Sequence, residues 1–196
     1  MTGGGLFDQE GLRSGVANTE AEKDECFALR YRVYVEDFGC SIPSADHRRR
    51  IDRTEDDDSA TQIYVRRGDH VIGTMRVHHG AASALPHAFR EACELERFLA
   101  DTPLEQMMSI GRLAIEKHER GGAAIVPLFQ ECLRWTRRDH PDTRLAFILA
   151  IEEPRLIALY RLLRFEPIHP DKRIRVDVGV CVPMFTRLGP RDGRQA

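Results

Sequence analysis

The amino-acid sequence predicts an α/β fold in which helices flank a mixed, mostly antiparallel central sheet. A β-hairpin with a glycine in its turn occupies the first half of the chain, and a short, almost wholly apolar strand at residues 144–150 follows an amphipathic helix. In the predicted final strand, from Ile174 to Phe185, apolar residues at the even positions alternate strictly with residues of mixed polarity at the odd positions. Helices and strands that follow one another in this way are typical of a layered α/β domain.

The composition is that of one globular domain. The chain has 196 residues, of which 42% are apolar and 31% are charged, and its formal net charge is −2. This charge balance excludes a typical nucleic-acid-binding protein, and no apolar run is long enough to cross a bilayer. The first residues lack the apolar segment of a signal peptide, so we expect a cytoplasmic protein. We expect frayed tails at residues 1–17 and 189–196 and a single domain at 18–188.

The first half of this domain is predicted to hold one helix and one hairpin. Apolar residues at helical spacing predict the helix over residues 20–36, and Gly39 and Pro43 end it. A polar segment then runs to about residue 60, and connections of this length are usually functional or disordered. The strands TQIYVR and HVIGTMRVH flank a turn at Gly68 and form the hairpin.

The second half begins with an irregular insertion at residues 80–106, in which we predict a short helix at 87–99. The segment MMSIGRLAI reads as a strand, AAIVPLFQECLRWTRR as a helix, and RLAFILA as a strand that is covered on both faces. Pro154 is placed to open a further helix. The short strand FEPIH then precedes the final strand.

Cysteines and histidines do not form a recognisable metal or disulfide pattern. The five cysteines are odd in number and contain no C-x-x-C pair, and the eight histidines are scattered. The neighbours His78 and His79 point to opposite faces of a strand. We therefore expect no metal site.

A glycine-rich loop joins the strand MMSIGRLAI to the helix that follows it. Arg120, Gly121 and Gly122 lie where that helix begins. Free N–H groups at a helix N-terminus, with an arginine beside them, can bind phosphate, and glycine allows a phosphate to approach the backbone closely. A plain tight turn between strand and helix is the alternative.

The segment around Tyr160 is a second motif, and it helps to interpret the glycine-rich loop. Tyr160 lies on a predicted helix that ends shortly before Phe165 and a strand. This segment resembles a pattern like A-x-x-L-Y-x-x-x-G-F of the GNAT superfamily of N-acyltransferases: the chain offers Ala158, Leu159, Tyr160 and Phe165, with Arg164 in place of the glycine. The superfamily loop [QR]-x-x-G-x-[GA] is matched by residues 118–123, with histidine at its first position.

This resemblance implies a coenzyme site and a splayed sheet. It implies that the loop residues bind the donor's pyrophosphate, that the preceding strand binds its pantetheine arm and polarises the thioester carbonyl, and that the strands at 107–115 and 144–150 splay apart. The implied cofactor-binding residues are Leu113, Ala114, Ile115, Arg120, Gly121, Gly122 and Ala123. It also implies that Tyr160 donates a proton to the leaving thiolate; the alternative is an ordinary core tyrosine.

The N-terminal half resembles two narrower families, the acyl-homoserine lactone synthases and the N-acyl amino acid synthases. The R-Y-x-V-[FY] core of their first helix is matched at residues 30–34, and an acidic loop follows at 52–58. The pattern G-x-x-R is matched at 73–76, and a strand like [IS]-[SG]-R-[FL]-A-[VI] at 110–115. The lactone synthases carry a glutamate where this chain has Ser109. That difference favours the N-acyl amino acid branch.

The resemblance implies an N-acyltransferase that uses acyl-CoA or an acyl carrier protein as donor and a small-molecule amine, such as an amino acid, as acceptor. The two alternatives are an acetyl-CoA-dependent acetyltransferase and a non-catalytic, GNAT-like binding module. The basic run at residues 47–50 is either a solvated loop or a docking site for an acidic carrier protein.

Aminolysis of a thioester needs a base for the amine and an acid for the thiolate. Asp57 is our first choice of base; Asp52, Asp58, Glu116 and a water chain ending at Ser109 are alternatives, and a solvated charge run is the plain interpretation of residues 56–58.

The remaining predicted substrate-binding residues are arginines and their neighbours. Arg30, Arg76 and Arg112 lie inside otherwise apolar segments, where an unpaired charge is costly. They either pair with Asp52, Asp57 or Glu36, or bind the carboxylate of the acceptor in a two-pronged contact. The full set of predicted substrate-binding residues is Arg30, Tyr34, Asp52, Arg76 and Arg112.

Overall fold

The computed structural model describes residues 11–80, 87–121 and 123–189. The strands are β1 Leu12–Val16, β2 Ala45–Asp46, β3 Ile51–Asp52, β4 Thr61–Arg67, β5 His70–His79, β6 Met107–Ile115, β7 Leu145–Ile151, β8 Glu166–Pro167, β9 Ile174–Val176 and β10 Gly179–Arg187. The α-helices are α1 Glu20–Tyr31, α2 His87–Ala92, α3 Ile125–Asp139 and α4 Pro154–Leu162. A π-helix, Arg32–Asp37, continues α1, and short 3₁₀ turns include Glu55–Ser59.

Eight strands form one large sheet. Their hydrogen-bonded order is β1-β4-β5-β6-β7-β10-β8, with β9 paired to β10. The pairs β1–β4, β7–β10, β8–β10 and β9–β10 are antiparallel, and β6–β7 is parallel. This mixed, mostly antiparallel sheet with flanking helices confirms the predicted fold class. The β6–β7 register runs from Met107–Leu145 to Ile110–Ile148, and the predicted splay beyond it stays a prediction.

Contacts divide the described residues into two compact units. The first holds the chain up to Asp57 together with Thr61–Arg76 and Arg112–Trp135. The second holds Asp58–Ala60, Val77–Gly111 and the chain from Thr136 onward. The predicted single domain over residues 18–188 stays a prediction.

The first unit contains α1, which begins at a reciprocal cap. The Thr19 hydroxyl accepts from the Glu22 backbone N–H at 3.2 Å, and the Glu22 carboxylate accepts from the Thr19 N–H at 3.0 Å. Such a cap satisfies two N–H groups that the helix itself leaves free. The helix buries an apolar face that includes Cys26, Phe27 and Leu29.

Strand β1 lies inside the region that the sequence predicted to be a frayed tail. Residues 12–16 pair with β4 in a register that runs from Leu12–Arg67 to Val16–Ile63. The prediction was wrong for these residues because the segment LRSGV is stabilised by pairing with a distant strand and has little pattern of its own. Residues 1–10 and 190–196, the rest of the predicted tails, lie outside the described residues.

The predicted first helix is present but changes type near its end. From Arg32 to Asp37 it is a π-helix, and the N–H of Phe38 donates to the carbonyl of Val33 at 3.1 Å. A hydrogen bond between residues five apart inserts one extra residue into the turn. Single π-turns of this kind occur frequently at functional sites.

The second unit is built on β7, whose apolar residues fill its core. Leu145 and Phe147 pack with Leu95, Met107 and other buried side chains. Helix α4 follows, and the Glu153 carboxylate accepts from the Leu156 N–H at 2.8 Å at its N-terminus.

The predicted long final strand is two strands. Residues 174–176 and 179–187 form a hairpin in which Val176 pairs with Gly179, whose φ is +133°. The reversal could not be recognised from the alternation, because valines recur at every second position straight through the turn. Across the turn the two series exchange faces, since Val180 pairs with Arg175 and Cys181 pairs with Ile174.

Candidate active site

A fully buried arginine organises the acidic segment of the first unit. Arg30, on α1, is 0% exposed, and its Nη1 and Nη2 donate to the two carboxylate oxygens of Asp57 at 2.8 and 3.1 Å. Its Nε donates to Asp52 at 3.2 Å. These ion pairs fit the structural pairing that the sequence offered for Arg30, and its role in substrate binding stays a prediction.

Asp57 is the most heavily coordinated carboxylate of the site. The Gln62 side-chain amide donates to it at 3.0 Å, and the Thr54 N–H and hydroxyl donate at 2.7 and 3.1 Å. Burial raises the pKa of Asp57, but the charge and hydrogen bonds of Arg30 outweigh burial and lower that pKa to about 2. A carboxylate held in this way is a weak base. The role of Asp57 as the catalytic base stays a prediction.

Asp52 joins the same network from β3. Its side chain is 0% exposed, and it accepts from Arg112 Nη1 at 3.3 Å as well as from Arg30. The Ser44 hydroxyl donates to its second oxygen at 3.2 Å. Asp52 is therefore a buried partner of two guanidinium groups, and its role as base stays a prediction.

Arg76, on β5, is the third arginine of the network. Its Nη1 donates to the Thr54 hydroxyl at 2.9 Å and approaches Asp57 at 3.4 Å, and its Nη2 lies 3.6 Å from Asp56. Burial lowers the pKa of Arg76, and the charges of Arg30 and Arg112 lower it further against the opposing effect of Asp57. Within the described part of the chain, its buried Nε has no hydrogen-bond partner.

We call these five residues the buried ion cluster: Arg30, Asp52, Asp57, Arg76 and Arg112. It holds three guanidinium groups and two fully buried carboxylates, while the nearby Asp56 side chain is 46% exposed. With Asp56 counted, three guanidinium groups face three carboxylates, and the carboxylate of Asp56 is the partly exposed one. The third carboxylate that the sequence suggested, Glu36, pairs instead with Arg50 at 2.6 Å.

Arg112 has an unusual backbone conformation in the middle of β6. Its φ is +49°, in the left-handed region that side chains other than glycine seldom adopt. Its guanidinium carbon lies 5.9 Å from the centre of the Tyr34 ring. Backbone strain of this kind tends to concentrate at functional sites.

The end of β6 carries the predicted donor-binding backbone. Ala114 is buried, whereas Leu113 and Ile115 are half-buried. The carbonyl of Leu113 accepts from the Tyr34 hydroxyl at 2.8 Å, and the carbonyl of Ile115 accepts from Arg120 Nε at 3.0 Å. Both carbonyls are thus bonded to the protein's own side chains.

The predicted phosphate loop follows directly. Gly121 has a φ of +78° with open space where a Cβ would lie, and Ala123 is half-buried. Gly122 lies outside the described residues. Arg120 is ion-paired with Asp37, and its guanidinium lies 4.4 Å from the centre of the Phe38 ring. The arginine expected to bind phosphate is therefore paired with a carboxylate in this structure.

Two predicted catalytic residues belong to the second unit. Tyr160, on α4, is 5% exposed, and its ring lies edge-on to Phe165 with 5.9 Å between ring centres. Ser109, on β6, is 4% exposed and is paired in register with Phe147 of β7. Asp58 is exposed on the 3₁₀ turn. The catalytic roles of these residues stay predictions.

Sequence reasoning missed several polar members of the site. Thr54 and Gln62 both donate to Asp57, and Ser44 donates to Asp52. A threonine three residues before an aspartate is a typical turn-capping pattern, so Thr54 could have been found. Asp37 gave no such signal, because its partner Arg120 is far away in sequence.

No group of three or more potential metal-ligating side chains occurs among residues 11–80, 87–121 and 123–189. In the same described ranges, no helix is both long and apolar enough to span a bilayer.

Comparisons with known proteins place these features in context. The family model described as N-acyl amino acid synthase FeeM matches residues 25–184. The solved structure of FeeM from uncultured soil microbes has a TM-score of 0.67 at 17% identity, over 90% of this chain and 89% of that one. An acyl-CoA N-acyltransferase from Pseudomonas aeruginosa gives 0.62 at 18% identity, over 89% and 98% of the two chains.

A third similar structure is a CoA-dependent acyl-homoserine lactone synthase, BjaI, with SAM and isopentyl-CoA. Its TM-score is 0.64 at 14% identity, over 84% of this chain and 75% of that one. A search of curated protein sequences gives no match. At these identities the structural likenesses establish the shared fold.

Proposed function

Because the chain belongs to the FeeM family of N-acyl amino acid synthases, we propose that it transfers an acyl group from the thioester of an acyl carrier protein or coenzyme A to the amine of an amino acid or related small molecule. Family membership confirms the resemblance that the sequence indicated, and the enzyme is an N-acyltransferase. The choice of donor and acceptor is our proposal.

The partly exposed edge of the buried ion cluster supports the choice of an acceptor that carries a carboxylate. Arg76 is held there by long contacts with acids: its Nη1 lies 3.4 Å from Asp57, and its Nη2 lies 3.6 Å from Asp56, whose side chain is 46% exposed. An acceptor carboxylate that replaced Asp56 beside Arg76 would fit the forked geometry of a guanidinium. The Arg76 side chain is 12% exposed, and within the described ranges its Nε has no hydrogen-bond partner.

The reaction is direct aminolysis. The amine nitrogen attacks the thioester carbonyl carbon, the C–N bond forms, and the C–S bond breaks. A backbone N–H in the segment Leu113–Ile115 polarises the carbonyl. Tyr160 donates a proton to the leaving thiolate, and a base accepts the proton that the amine loses.

Glu116 is the base that the first unit supports best. Asp52 and Asp57 are fully buried in ion pairs, whereas the Glu116 side chain is 30% exposed and pairs with Arg32 at 3.0 Å. Its backbone N–H donates to the Ile72 carbonyl at 2.8 Å, which fixes the end of β6. A water chain that ends at Ser109 is the second candidate.

An assay with matched amines tests the proposal. Purified protein is incubated with acyl-CoA and acyl carrier protein thioesters of several chain lengths, and with each amino acid beside the amine that lacks only its carboxylate. Thiol release and mass spectrometry of the amide report turnover. We expect amides of the amino acids and at least about tenfold less from the matched amines, since a charge-assisted contact is worth about 1.5–3 kcal/mol.

The same assay separates the alternatives. Turnover confined to acetyl-CoA would identify an acetyltransferase. Binding of thioesters without turnover of any amine would identify a binding module, and equal turnover of the paired amines would remove the carboxylate from our proposal.

A further inference from the structure

The π-helix lies against the segment that is predicted to bind the donor. Three of its side chains contact residues of that segment between Leu113 and Arg120. Arg32 pairs with Glu116 at 3.0 Å, the Tyr34 hydroxyl donates to the Leu113 carbonyl at 2.8 Å, and Asp37 pairs with Arg120. Side chains of the π-helix therefore bond to the Leu113 carbonyl and to the Arg120 guanidinium, the two groups that a thioester donor would use.

Arg120 is held in place independently of Asp37. Its Nε donates to the Ile115 carbonyl at 3.0 Å, and its guanidinium stacks on Phe38, which is 55% exposed. Removal of the Asp37 charge would therefore leave the guanidinium where it is. The effect of Asp37 is to neutralise a cation that is already oriented.

The other charges around the loop explain why neutralisation of Arg120 by Asp37 affects the binding of a diphosphate. Among residues 116–120, the negative charges of Glu116 and Glu119 balance the positive charges of Lys117 and Arg120. Glu119 is engaged by Arg67 through two contacts at 2.9 and 3.1 Å. Asp37 adds one further negative charge directly on Arg120. A diphosphate group entering here would meet a carboxylate where a free guanidinium is needed.

We propose that Asp37 is a specificity-determining residue for the acyl donor, which disfavours donors that carry a diphosphate by occupying Arg120. This inference rests on the proposed function, because it concerns the donor of the same reaction. Donors whose thioester arm brings no diphosphate to the loop leave the Asp37–Arg120 pair intact. Coenzyme A thioesters must displace it.

Kinetics with two donors that share one thioester arm test this role. The donors are an acyl-CoA and the acyl-pantetheine that lacks all phosphates. For Asp37→Asn we expect the KM of acyl-CoA to fall about two- to fivefold, as is typical for loss of one partly exposed competing charge. The KM of acyl-pantetheine should not change. Glu36→Gln is the matched control, because it removes the neighbouring acid of the same π-helix, which pairs with Arg50.

An equal shift for both donors, or no shift for either, would overturn the proposal. The Arg120→Gln background provides a second check: there, Asp37→Asn should change the acyl-CoA KM by less than about twofold, because the cation on which it acts is gone. A full-sized effect in that background would also overturn it.

Calorimetric binding of free coenzyme A makes the test independent of turnover. Asp37→Asn should bind coenzyme A about two- to fivefold more tightly than the parent and Glu36→Gln. Tighter binding without amide formation would support the role of Asp37 and reject the proposed reaction. Unchanged binding beside normal amide formation would reject the role of Asp37 alone.

Discussion

Arg30 and Asp57 form a two-pronged ion pair in which both side chains are fully buried. The two guanidinium nitrogens donate at 2.8 and 3.1 Å, and neither side chain has exposed surface. The pair joins α1 to the 3₁₀ turn that follows β3. It therefore fixes the acidic segment to the helix that begins the first unit, and it lies at the centre of the buried ion cluster.

Removal of one partner should destabilise the protein strongly. Asp57→Asn leaves the buried guanidinium of Arg30 with less compensation, and breaking a buried pair costs about 3–5 kcal/mol. Urea unfolding followed by circular dichroism measures the loss. The control is Arg50→Gln, whose side chain is 63% exposed in its pair with Glu36; it should change stability by less than about 1 kcal/mol. Similar losses in both variants would contradict a special role for the buried pair.

Stability should also depend on the protonation of Asp57. Its pKa is lowered from 3.8 to about 2 because Arg30 outweighs burial. Since the folded-state pKa is the lower one, ionised Asp57 stabilises the fold above about pH 4, and this contribution is lost as the pH falls towards 2. The stability difference between the parent and Thr54→Val, which removes one hydrogen bond to ionised Asp57, should therefore shrink over that range. A difference that is constant from pH 5 to 2 would rule out this linkage.

Arg76 should determine the preference for acceptors that carry a carboxylate. Arg76→Lys keeps the charge but loses the fork, so we expect the KM of an amino acid acceptor to rise about 10- to 100-fold. The kcat and KM of the matched amine without a carboxylate should change little. Arg13→Gln, at a side chain that is 70% exposed, is the control. Equal losses with both acceptors would assign Arg76 a structural role only.

Much of the fold could be predicted because its signals are local and periodic. The hairpin, β6, α3 and the apolar strand β7 all follow from spacing within a single segment. Strand β1 could not, since its stability depends on β4; at Gly15 a Cβ would lie 2.9 Å from the Tyr64 hydroxyl, a constraint that becomes visible only once the strands pair. The π-helix was missed because Val33 and Tyr34 also fit an α-helical pattern.

The site was predictable as a set of residues but not as a set of contacts. Arginines within apolar segments must find partners, which indicated that Arg30, Arg76 and Arg112 would either pair with acids of the chain or bind the acceptor's carboxylate. Which acid each one meets depends on where the loop after β3 folds, and that is tertiary information. The hydrogen bonds that Arg30, Thr54 and Gln62 donate to Asp57 come from separate segments, so the same limit applies to them.

Tyr160 supplies the last prediction, because its proposed role as acid depends on its hydroxyl alone. Tyr160→Phe keeps the ring that packs edge-on to Phe165, so the fold should be retained. Loss of a general acid should lower kcat about 10²- to 10⁴-fold. An aryl thioester, whose thiolate leaves without protonation, should restore most of the lost rate. Tyr64→Phe removes a hydroxyl that lies 3.5 Å from Glu22 and serves as the control. Full activity of Tyr160→Phe, or a loss that the aryl thioester does not relieve, would move the acid to another residue.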